Sequence, residues 1–203
     1  MKQLRLILAC LALTFPLLTK AGERAAFRYG MEWGVNSAIL VGNHSSYISG
    51  EGYLVDSRSL DFRSHINGEV MGLIGLEYKR LGLYVRSGFM GLQKEECVVP
   101  VLLRSSFALS RYGVEKHGSI YIEGGCGLQK SKPVSAVTGT GYVYRLRLSE
   151  KLALDLNGGL RISYSHPDVY DKYAERKVPK ESLGQSKSLN IGLALTIAPI
   201  RAL

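Results

Sequence analysis

The chain has 203 residues, 46% hydrophobic and 21% charged, with 23 glycines, a formal charge of +9 and a mean hydropathy of +0.03; this composition suits one ordered domain and excludes a disordered or collagen-like polymer. Beyond residue 22 no run of about 18 apolar residues occurs, which excludes a bundle of membrane-spanning helices. A basic balance raises nucleic acid as a partner, but no base-stacking or groove-reading motif accompanies it, so no nucleic acid is expected.

Residues 1–22 read as a secretory signal peptide: Lys2 and Arg5 form a basic start, Leu6 to Leu18 is apolar, and Thr19 and Ala21 are small residues suited to cleavage. The apolar stretch, interrupted by Pro16, falls short of the roughly 20 residues of a spanning helix. Its removal leaves 23–203 as one domain with 23 basic and 17 acidic residues. Anionic lipid head groups are then the expected counter-charge.

Period-2 alternation recurs along the remainder, and no helical stripe of useful length does, which predicts an all-β protein. In Phe27 to Asn36 one face carries Phe27, Tyr29, Met31, Trp33 and Val35, the other Arg28, Glu32 and Asn36 among glycines. Strands over 68–79 and 81–90 put Val70, Ile74, Leu76 and Tyr78, then Leu81, Leu83, Val85 and Phe89, on the apolar side. The next, 97–107 and 119–128, show Val99, Val101, Leu103 and Phe107, then Ile120 and Ile122. Strands over 140–148, 152–164 and 189–197 complete a set of eight, the last running Leu189, Ile191, Leu193, Leu195, Ile197 against Asn190, Gly192, Ala194, Thr196. Tight turns are expected at Lys79–Arg80, Arg111–Tyr112 and Ser149–Lys151, and long polar loops at 42–67, 129–137 and 165–186. Short turns at one rim and long loops at the other describe an outer-membrane barrel.

The two faces choose between lipid and water. The apolar faces contain no Asp, Glu, Lys or Arg, whereas the opposite faces hold Arg28, Glu32, Glu77, Lys79, Arg86, Arg104, Glu123, Arg145, Arg147, Asp155 and Arg161. About 35 large apolar side chains do not fit inside eight strands, whose interior is only just wide enough for its own side chains. Turned outward to lipid they need no such volume, and a closed sheet leaves no backbone edge unpaired in hydrocarbon. The expected fold is therefore an eight-stranded antiparallel up-and-down transmembrane β-barrel. Its charged residues pair into a lumen network that plugs the barrel and leaves no open, porin-like channel. Phe27, Tyr29, Tyr78, Phe89, Phe107, Tyr142 and Tyr164 near strand ends fit interfacial girdles.

Little chemistry beyond this is legible. Ser163, Ser165, His166 and Asp168 combine only loosely into a hydrolytic set, the four histidines lack metal-ligand spacing, and no nucleotide loop occurs. No catalytic residue, cofactor or metal is expected. With a turn at Arg111–Tyr112, opposing residues sum to 223 and Cys97 faces Cys126. The pair is then a cross-strand disulfide or two facing thiols, and a slip of register separates them. The loops 42–67 (His44, Tyr47, Tyr53, Arg58, Arg63) and 165–186 (Tyr170, Lys172, Tyr173, Arg176, Lys177, Lys180) mix tyrosine with basic residues and suit a glycolipid or protein surface.

The order of Phe27-Arg-Tyr-Gly-Met-Glu-Trp-Gly-Val-Asn36, Gly75-Leu-Glu-Tyr-Lys-Arg80, Val99-Pro-Val-Leu-Leu-Arg104, Tyr121-Ile-Glu-Gly-Gly125 and Leu154-Asp-Leu-Asn157 resembles the PorT-like outer-membrane β-barrel domain family of Gram-negative bacteria, an OmpA-like eight-strand class. The resemblance implies a barrel in the cell outer membrane and no single activity. The expected role is a monomeric, non-enzymatic structural or surface-interaction protein; a lipid-modifying barrel enzyme of acyl-hydrolase type and a soluble exported β-sandwich binding protein stay open as alternatives.

Overall fold

A computed structural model describes residues 25–93, 96–110, 116–130, 132–171 and 176–202. The expected signal peptide, 1–22, lies outside the described residues. Strands β1 (Ala26–Ile48), β2 (Leu54–Tyr78), β3 (Leu81–Gln93), β4 (Glu96–Ala108), β5 (Lys116–Leu128), β6 (Ser135–Arg147), β7 (Leu152–Ser165) and β10 (Leu183–Ala202) form one closed antiparallel barrel, and β8 (Tyr170–Asp171) pairs with β9 (Arg176–Lys177) beside it. Neighbours in sequence are neighbours in the sheet, and β10 pairs with β1 from Arg28↔Ala202 to Tyr47↔Leu183, which closes the cylinder. The fold is a barrel and not a two-sheet sandwich.

Outward positions carry the apolar letters on every strand. Trp33, Ile74, Phe89, Ile122, Leu160 and Leu195 are 46%, 54%, 64%, 66%, 55% and 62% exposed. Between 27–35, 70–78, 81–91, 97–107, 118–128, 136–146, 152–164 and 189–199 no outward position is Asp, Glu, Lys or Arg. A 13-residue strand such as β3 or β5, at ~3.3 Å per residue and ~40° tilt, rises about 33 Å, enough for an apolar band of about 25 Å.

The strands are unequal, and this corrects the expected loop 42–67. β1, β2 and β10 have 23, 25 and 20 residues against 13 or 14 for the other barrel strands. Residues 42–48 and 54–67 are strand, and only 49–53 turns between them. β2 pairs with β3 from Tyr78 to Glu69 and beyond that with β1 alone, so β1, β2 and β10 project past the rim as a three-stranded flap. A register shift between Ala38 and Leu40 marks where the flap begins; such irregularities bend a strand and raise its twist.

At the rim that holds residues 26 and 202, the connections are 79–80, 109–115 and 148–151; at the far rim they are 49–53, 94–95, 129–134 and 166–182. Lys79 takes a φ of 54° in its two-residue turn. The expected tight turn at Arg111–Tyr112 lies outside the described residues, inside a connection longer than two residues.

Candidate functional site

Inside the barrel, alternation delivers the ionic side chains to one another. Arg86, wholly buried, donates through Nε (3.0 Å) and Nη2 (2.5 Å) to Glu32 and through Nη1 to Glu123. Arg104 donates through Nε (3.0 Å) and Nη2 (2.9 Å) to the same Glu123 and lies 3.7 Å from Glu32. Arg161 joins Glu69 and reaches Glu123 at 3.3 Å. Nearer the rim of the chain ends, Arg145 holds Asp155 at 2.6 and 2.8 Å and also donates to Glu77, which accepts from Arg28 at 2.9 Å and from the Tyr84 hydroxyl. Thr196 donates to Glu32 and Asn36 to Glu69.

Burying ions is costly unless each finds a partner, and here five arginines meet five carboxylates. Nine of the eleven charged residues read onto the inward faces take part, and Lys79 stands instead in the turn between β2 and β3. Arg147 is exposed at the barrel mouth, where it donates to the Ser149 carbonyl at 3.2 Å. Glu69, the partner of Arg161, joins them, turned inward by its place beside outward Val70.

Glycine makes the room. A Cβ on Gly159 would stand 2.5 Å from the Tyr121 hydroxyl and one on Gly141 2.8 Å from its ring. Tyr121 therefore lies flat against a bare stretch of β6 and β7, with the Arg104 guanidinium 4.1 Å from its ring centroid. The lumen is not wholly polar: Met71, Met90, Leu92, Val98, Leu102 and Val137 form one buried apolar cluster, and Leu73, Tyr84, Ala198 and Ile200 another. A void of about 20 Å³ among Glu32, Tyr84, Arg86, Arg104 and Arg145 has room for about one water. The interior is a plug.

The two cysteines are free thiols, which corrects the disulfide alternative. Val101 pairs with Cys126 and Arg104 with Glu123, so opposing numbers sum to 227 and not 223. Cys97 is displaced four residues from Cys126 along the ladder, and both lie on the outward face.

Nor are the residues of the loose hydrolytic set brought together. Ser165 donates to Glu96 at 2.9 Å, and Ser163 accepts from Asn190. The His166 ring meets the Ser186 carbonyl at 2.7 Å, and Asp168 is taken by lysines. Among the described residues no group of three His, Cys, Asp or Glu converges as a metal site would.

The far rim holds a cleft of about 520 Å³ above the ends of β6 and β7, where the 129–134 loop, the 166–182 loop and the free stretch of β10 meet. Lys130, Lys132, Lys177, Lys180, Lys187 and His166 line it, with Asp168 as its one carboxylate among the described lining residues. Asp168 accepts from Lys132 at 3.1 Å and from Lys177 at 2.7 Å, tying the two loops together. Partial burial works against its charge, but the two lysine hydrogen bonds prevail and hold the carboxyl below its ordinary pKa of 3.8. Lys177 and Lys180 were legible as loop cations; their convergence with Lys130, Lys132 and Lys187 was not. Of the other loop residues noted in the sequence, Tyr53 and Tyr170 are exposed, Tyr47 is buried and His44 pairs with Asp56 at 2.9 Å, while Lys172 and Tyr173 lie outside the described residues.

No protein-family model and no curated protein matches the chain. Among solved structures it is similar to Neisserial surface protein A, with 10% identity over 89% of this chain and 99% of that one and a TM-score of 0.43. It is also similar to the secretin-domain β-barrel of InvG from the Salmonella SPI-1 injectisome, with 11% identity over 95% of this chain and 67% of that one and a TM-score of 0.29. What the protein does is to be sought on its own surfaces.

Proposed function

We propose that the protein is a monomeric outer-membrane β-barrel of a Gram-negative bacterium, of the PorT-like kind, whose lumen is structural and whose flap and long loops make surface contacts. One observation carries this reading: an unbroken uncharged belt faces outward on all eight strands while the ions pair inside. In water such a belt would far exceed the few hundred Å² of contiguous apolar surface that a soluble monomer shows; in lipid it is the required surface. The single chain closes its own sheet and needs no partner strand. The plugged lumen offers no path for solute, and the polar groups nearest a hydrolytic set are bound elsewhere, so the reading is neither a pore nor an enzyme.

The experiment is fractionation of expressing cells with a carbonate wash and a detergent wash, combined with an epitope inserted at Gly52, the exposed tip of the flap. Retention through carbonate, release by detergent and antibody labelling of intact cells are expected. Release by carbonate alone overturns the membrane reading, and labelling only after permeabilisation overturns the placement of the flap outside the cell.

A further inference from the structure

We infer that the lysine cleft at the far rim binds a sugar-linked phosphate, of the kind carried by a phosphorylated glycolipid head group. The inference deepens the surface-contact reading and rests on it, because only a barrel seated in lipid brings this cleft to the bilayer surface. Three observations converge. The first is charge: five lysines line the cleft, Asp168 is the one carboxylate among its described lining residues, and among the described residues no carboxylate pairs with Lys130 or Lys187. Concave walls of one sign focus the field on their centre, and phosphate answers with up to two negative charges and three strong acceptor oxygens, for which lysine serves as a point charge.

The second is size. About 520 Å³ falls within the range of pockets that enclose a whole small ligand, far more than a bare phosphate fills. Pro133, Val169, Val178 and Leu183 supply apolar walls beside the lysines, as the C–H faces of a sugar ring require. The third is height. Lys187 stands two residues beyond Leu189, the last outward apolar residue of β10, on the same face, and His166 stands two beyond Tyr164 on β7. The cleft therefore opens where the apolar belt ends, at the level of lipid phosphates. Asp168 does not compete for the whole charge; it holds Lys132 and Lys177 in place and fixes the distance between the loops.

The test uses the full barrel in neutral maltoside micelles. It is titrated with N-acetylglucosamine 1-phosphate, inorganic phosphate and N-acetylglucosamine, and separately purified from micelles doped with a diphosphorylated glucosamine-disaccharide lipid or its dephosphorylated form. Expected are binding of the sugar phosphate but not the neutral sugar, co-purification of the phosphorylated lipid alone, and weakening as salt rises. Lys130→Gln and Lys187→Gln should each weaken binding about tenfold, the loss of one charged contact, while Lys151→Gln at the opposite rim should change nothing. Equal affinity for inorganic phosphate with no lipid retained supports the phosphate chemistry and assigns its source to the free anion. Absence of binding in every phosphate arm, or equal weakening by Lys151→Gln, in a barrel that keeps its β spectrum and its carbonate resistance overturns the inference and leaves the membrane reading standing. Loss of carbonate resistance strikes the membrane reading instead.

Discussion

Glu123 is the hub of the lumen, and its replacement by glutamine isolates what the ion network does. Its carboxylate accepts from Arg86, Arg104 and Arg161, all buried. Glutamine keeps the shape, removes the charge and turns an NH2 group toward donors. Arg86 would retain two bonds to Glu32, and Arg161 would retain Glu69. Arg104 would lose most, keeping Glu32 at 3.7 Å, the Asn157 oxygen at 3.5 Å and the Tyr121 face. Removing one partner of a buried ion pair costs about 3 to 5 kcal/mol because the remaining charge stays desolvated. We therefore expect Glu123→Gln to lower the unfolding free energy by about that amount. Adding Arg104→Gln should restore part of it, with a coupling of about 1 to 3 kcal/mol. Urea unfolding in lipid vesicles reads this through Trp33, the single tryptophan, which lies on the outward face of β1, away from the mutated site. A loss below about 1 kcal/mol with no coupling, the behaviour of solvent-exposed pairs, would refute the dry plug.

Three further outcomes are expected. Ile122→Lys, at the middle of β5 on the outward face, should cost about 2 to 4 kcal/mol in vesicles because the ammonium sits near the bilayer midplane; a change within about 0.5 kcal/mol, normal for a water-exposed position, would argue against lipid there. Cys97 and Cys126 should both take up N-ethylmaleimide in denatured, unreduced protein, and a disulfide-linked peptide pair in mass mapping would contradict the register. The Asp168 carboxyl, followed by its 13C shift in micelles, should titrate below 3.8. A depressed folded value means that the loop clamp is intact above the ordinary carboxyl pKa and is lost as pH falls through the lower value. Lys132→Gln with Lys177→Gln should move the midpoint upward, and an unmoved midpoint rejects the clamp.

The barrel was legible because its two environments alternate residue by residue. Trp33 and Glu32, Leu103 and Arg104, Leu160 and Arg161 are chain neighbours of which one faces out from the barrel and the other into a polar interior, and period 2 records that difference directly. The flap was not legible for the same reason. From Leu54 to Leu60 β2 is open to solvent on nearly every residue, so Asp56, Ser57, Arg58 and Ser59 follow one another with no alternation to betray a strand. The lysine cleft failed for a different cause: Lys130, Lys132, Lys177 and Lys187 come from three separate segments, and only closure of the barrel and folding of two loops places them around one space.

Parity and register carry unequal security, and the lumen shows why. The connection between β4 and β5 is longer than the assumed two-residue turn, which shifts the sum of opposing residues from 223 to 227. That slip is even, so every side chain keeps its face: Arg104 and Glu123 stay inside, Cys97 and Cys126 stay outside. Partners do change. Arg104 comes to stand directly opposite Glu123, and the cysteines part. At 149–151, where the expected tight turn agrees with the structure, opposing residues sum to 300 and Arg145 stands directly opposite Asp155. Other contacts, among them Arg86 with Glu123 and with Glu32, Arg161 with Glu69 and Arg145 with Glu77, cross the lumen between strands that are not neighbours. No register between neighbouring strands can foretell them, and two of them, Arg161 with Glu69 and Arg145 with Glu77, join β7 and β6 to β2 around the closed cylinder. Those two pairs therefore favour closure: in the completed cylinder Arg161 and Arg145 meet Glu69 and Glu77, partners that an open sheet would hold apart.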